Sequence, residues 1–88
     1  MIIKTVFDFN KALEIGPYAW PGGYPLYFVT ADGAVLSWAA AIKEQALLRD
    51  SILRADAWRV VGLMVNYEDD DLYCDHTGEK IPSAYGES

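Results

Sequence analysis

Cys74 and His76 are the single cysteine and the single histidine of an 88-residue chain, and they stand two positions apart. A thiol next to an imidazole could be a nucleophilic pair or the beginning of a metal site. Neither is complete in the sequence. Positions i and i+2 share a face in a strand but not in a turn, and Asp75-His76-Thr77-Gly78 has the composition of a turn. Two donors also fall short of the four that a structural zinc ion takes. A small buried Cys74 and a turn His76 fit these residues better. No Ser-His-Asp set can be assembled, and Gly33 is not followed by the Gly-Lys-Ser/Thr of a phosphate loop. No catalytic residues, cofactor or metal are expected, and the chain does not read as an enzyme.

Carboxylates are the other candidate chemistry. Glu68-Asp69-Asp70-Asp71 lacks the alternating acidic positions, the glycine and the distal Glu of a calcium loop. The run belongs instead to a larger asymmetry. Through Val65, six acidic residues are balanced by six basic ones; from Asn66 on, Glu68, Asp69, Asp70, Asp71, Asp75, Glu79 and Glu87 are opposed by Lys80 alone. The entire net charge of −6 therefore lies in the last 23 residues. A concentrated negative field repels nucleic acid and anionic membranes and attracts basic protein surfaces. With a pI near 4.4 and no basic patch, direct nucleic-acid binding is not expected, because phosphate neutralisation by Lys and Arg dominates that affinity.

These residues must be held by a small body. A chain that is 52% hydrophobic and 14% aromatic can fold as one domain, residues 1–88, although at this size it buries only about 60–65% of its unfolded surface. One cysteine permits no internal disulfide, which fits a reducing cytosol. No uncharged apolar run approaches the roughly 18–20 residues that cross a bilayer. The first residues interleave charge with apolar side chains, unlike a signal peptide. A bacterial cytoplasmic protein, monomeric rather than oligomeric, is expected.

The elements read as follows. Ile2 to Phe9 is β-branched and aromatic and predicts a strand, with Asn10 a cap for a helical turn after it. Gly16 to Pro25 holds three Pro and three Gly between Tyr18, Trp20 and Tyr24, and predicts a turn-rich loop. Leu26 to Thr30 and Ala34 to Leu36 predict a hairpin around Asp32-Gly33. Ser37 predicts an N-cap, followed by a helix over Trp38 to Leu53. Its apolar stripe gathers Ile42, Ala46 and Leu53 with Ala41, Leu48 and Ile52. Trp58 to Tyr67 predicts the central strand, with Val60, Val61, Leu63 and Val65 deeply buried. Leu72-Tyr73-Cys74 and Glu79-Lys80-Ile81 predict a final hairpin. This order gives an α+β domain, a small antiparallel sheet with one main helix packed on it.

Two stretches resemble a known family. Tyr24-Pro25-Leu26-Tyr27-Phe28-Val29-Thr30-Ala31-Asp32-Gly33-Ala34-Val35-Leu36 is similar to the front half of small uncharacterised zinc-ribbon-like proteins carried by phages and plasmids. Asn66 to Glu79, followed by Ser83-Ala84-Tyr85-Gly86-Glu87, is similar to their back half. The family's two Cys-x-x-Cys pairs fall here on Ser37 and Ala40 and on Cys74 and Thr77. Only one thiolate survives, so the resemblance implies a ribbon that has lost its metal, with Trp38 and the alanines after it supplying helix and core in compensation.

Size, charge and mobile-element kinship also make the chain similar to anti-CRISPR proteins. That likeness implies an inhibitor on the nucleic-acid-binding surface of a host protein complex, such as a CRISPR effector, by DNA mimicry. The expected contact residues are Glu68, Asp69, Asp70, Asp71, Asp75 and Glu79, within a Debye length of about 8–10 Å, with Tyr67 and Tyr73 as anchors. The alternative is a metal-free degenerate zinc ribbon serving as an adaptor, with the Tyr18-Trp20-Tyr24 loop in contact with its partner.

Overall fold

The computed structural model describes residues 1–19, 24–66 and 72–81. The chain is α+β. Helix α1 spans Val6–Ile15, strand β1 Tyr18–Ala19, β2 Tyr24–Thr30 and β3 Val35–Ser37. Helices α2, Trp38–Lys43, and α3, Gln45–Arg54, precede β4, Val60–Val65.

The first prediction is corrected at once: Ile2 to Phe9 is not a strand. Thr5 and Asp8 form a capping box. The Thr5 hydroxyl accepts the Asp8 N–H at 3.1 Å, and the Asp8 carboxylate accepts the Thr5 N–H at 3.2 Å. Two orphan donors are satisfied reciprocally, and the helix starts four residues before Asn10. Asn10 therefore caps nothing and instead accepts a hydrogen bond from Arg49 Nε at 2.9 Å. Phe9 and Ala12, one turn apart, face the core. Only Met1 to Ile3 stays extended, pairing with the outer edge of β4. Ile3 N–H bonds the Val61 carbonyl and Leu63 N–H bonds the Met1 carbonyl, each at 2.9 Å.

Strand β2 is central. It pairs antiparallel with β3 and β1 on one side and with β4 on the other. Its side chains alternate, with Leu26, Phe28 and Thr30 buried and Tyr27 and Val29 half-buried. The hairpin from β2 to β3 turns at Asp32-Gly33 as expected. Gly33 takes φ +89°, which a side chain would resist. The Thr30 hydroxyl donates to the Asp32 carboxylate and accepts the Ala34 N–H, the latter at 3.0 Å.

The predicted long helix is two helices. Glu44 at φ −105° and ψ 21° ends α2 and begins α3. No proline or glycine marks the break. The Gln45 side chain donates at 3.1 Å to the Ile42 carbonyl, which also receives a backbone N–H at the helix end. Half of the predicted stripe turns inward: Ala41 and Leu48 are buried and Ile52 packs against them. Ile42, Ala46 and Leu53 face solvent, Leu53 at 76% exposure. Ser37 caps α2 as predicted, its hydroxyl accepting the Ala40 N–H at 3.1 Å.

In β4, Val60 and Leu63 are buried, but Val61 and Val65 are only half-buried. A bulge explains Val61. Val29 pairs with Gly62 and Thr30 pairs with Val60, so Val61 has no opposite number on β2. The extra residue lets both Val60 and Leu63 point inward despite their odd spacing. The core closes on Phe28, whose ring lies 5.7 Å from that of Phe9 and 5.6 Å from that of Trp38.

Candidate functional site

The candidate contact surface is the final hairpin and the acidic run before it. Among its expected residues, Tyr67, Glu68, Asp69, Asp70 and Asp71 lie outside the described residues. Tyr73, Asp75 and Glu79 lie within them.

The hairpin forms as predicted. Tyr73 bridges Lys80, and Cys74 N–H reaches the Glu79 carbonyl at 2.7 Å. Ile81 N–H bonds the Leu72 carbonyl, and Gly78, at φ +77°, closes the turn through its N–H to the Cys74 carbonyl, both at 2.8 Å. Two side chains pin it to the core: Cys74 at 1% and Ile81 at 0% exposure. The buried Asn66 amide, at the end of β4, reaches the Ile81 carbonyl at 3.5 Å.

The turn also finishes the exposed edge of β3. The Asp75 carboxylate accepts the Val35 N–H at 2.6 Å, and Asp75 N–H bonds the Val35 carbonyl at 2.7 Å. Two positions along the same strand, the Ser37 N–H points at the Cys74 sulfur. An unpaired strand edge is a template for unwanted pairing, and here side chains of the turn occupy it. Asp75 thus has a structural engagement that the sequence did not reveal. Glu79 is exposed, and Tyr73 presents 52% of its surface.

His76 does not face Cys74 as a catalytic partner. Its Nε2 lies 3.1 Å from Glu44 Oε2, and its ring lies 6.2 Å from that of Trp58. The turn is therefore clasped to the break between α2 and α3. Sequence reasoning missed Glu44, because nothing local distinguishes it from any other helical glutamate.

Burial pushes the Cys74 thiol up. Hydrogen bonds from the Thr77 hydroxyl and from the N–H groups of Ser37, Thr77 and His76 outweigh that penalty and hold it below its ordinary value. The sulfur is enclosed, so the arrangement favours a satisfied core thiol over an accessible nucleophile. Ser37 and Thr77 thus meet around the Cys74 sulfur. Ala40 is buried, and its N–H donates to the Ser37 hydroxyl. Among the described residues, no group of three or more His, Cys, Asp or Glu side chains could hold a metal ion.

An apolar groove of about 250 Å³ adjoins the hairpin, between Tyr18, Leu26, Trp38 and Ile81, with Glu79 and Lys80 on its rim. Of the aromatic loop, Tyr18 is 45% exposed, Tyr24 is half-buried, and Trp20 lies outside the described residues. No described helix is long and apolar enough to cross a membrane. Comparison of the chain with family models, curated proteins and solved structures returns no match.

Proposed function

We propose that this chain is a small acidic protein of a phage or other mobile element, an inhibitor that occupies the nucleic-acid-binding surface of a host protein complex. The observation that carries the reading is the confinement of the whole net charge of −6 to the last 23 residues. A basic groove built for phosphates would be attracted to such a field, and steering would speed the encounter. The exposed Tyr73 and Glu79 on the final hairpin support it, since Tyr is enriched where binding energy concentrates. The partner would be a CRISPR effector or a complex of similar chemistry, met in the bacterial cytoplasm by a monomer. The test is capture of partners from host lysate by the tagged protein and by the triple variant Asp69→Lys, Asp70→Lys, Asp71→Lys. Loss of a nucleic-acid-binding partner in the variant, and release of the wild-type complex by salt, support inhibition. Equal capture by both proteins overturns it.

A second reading, a metal-free degenerate zinc ribbon acting as an adaptor, is favoured by one separate observation. The sulfur of Cys74 accepts hydrogen bonds from Ser37 and Thr77, two positions that correspond to ligands of the ribbon. Under that reading partner binding survives the triple charge reversal and is lost in Trp20→Ala.

A further inference from the structure

We draw no further inference here: the strongest candidate, the apolar groove of about 250 Å³ between β1, the start of α2 and the last arm of the final hairpin, carries nothing, because nothing in the structure shows what covers it.

Discussion

Asp75 and Val35 hold each other twice, carboxylate to N–H at 2.6 Å and N–H to carbonyl at 2.7 Å, across 40 positions of sequence. A residue counted with the acidic run by its charge is therefore also a fastening of the sheet edge. The two roles separate by substitution. Asp75→Ala leaves the Val35 N–H to solvent and costs about 1 kcal/mol, the net value of an ordinary hydrogen bond. Asp75→Asn keeps an acceptor and costs less. Urea denaturation of both variants reads the difference, and equal stability of the two would mean that the carboxylate oxygen does not hold the edge.

The capping box of α1 predicts an acid-sensitive amino-terminal helix. The Lys4 N–H, then the Thr5 N–H and hydroxyl, hold the Asp8 carboxyl below its ordinary value. The Thr30 hydroxyl and then the Ala34 N–H do the same for Asp32. A depressed folded-state value means that the stabilisation is fully present above the unfolded value of 3.8 and is lost as pH falls through the folded one. Denaturation from about pH 5 down to about pH 2 tests this, and Asp8→Asn flattens part of the slope. At neutral pH, Thr5→Ala costs about 1 kcal/mol through the lost cap.

Cys74 predicts both a reactivity and a pH dependence. Enclosed at 1% exposure, its thiol reacts with a disulfide reagent far more slowly in the folded protein than in urea. Its folded value lies below the ordinary 9.0. The thiolate therefore contributes stability that is complete above that value and declines as pH falls through the folded one. Cys74→Ala removes the acceptor of the Ser37 N–H and the Thr77 hydroxyl and costs about 2 kcal/mol. Rapid labelling of the native protein at neutral pH would contradict the enclosure.

Three substitutions test the ribbon reading. Ser37→Cys, Ala40→Cys and Thr77→Cys together place four thiols at the ligand positions of that family. If the scaffold is a ribbon, the variant purifies with one zinc per chain, because four thiolates complete a tetrahedral set. Its Tm then falls when a chelator removes the metal. A variant that folds and takes up no zinc argues that the resemblance stops at the sequence.

The core is small enough for one ring to decide its fate. Phe28 is fully buried and stacks on Trp38. Phe28→Ala costs about 3–5 kcal/mol, comparable to the whole stability of many domains of this size. Loss of the cooperative thermal transition is the expected result.

Legibility in the sequence followed locality. The Asp32-Gly33 turn, the Ser37 cap and the final hairpin were readable because each is specified by neighbours within a few residues. The start of α1 is equally local, but the β-branched and aromatic residues from Ile2 to Phe9 mask the Thr5–Asp8 capping box that begins it. The break at Glu44 carries no breaker residue, and the His76 contact that meets it comes from 32 positions further along the chain. The partial exposure of Val61 depends on a register shift between β2 and β4, which alternation along one strand cannot express. Of the candidate site, charge and exposed aromatics were visible, whereas the hold of Asp75 on Val35 needed the fold.

The unmatched Val61 gives β4 two different ways of counting, one toward each neighbour. Its carbonyl accepts the Ile3 N–H at 2.9 Å, so the position skipped by β2 serves the opposite flank. Removing that single residue would leave Val60 and Leu63 directed at the same interior, yet would take away the carbonyl that receives the Ile3 N–H. A shortened chain of that kind should still melt in one cooperative transition, at a lower temperature.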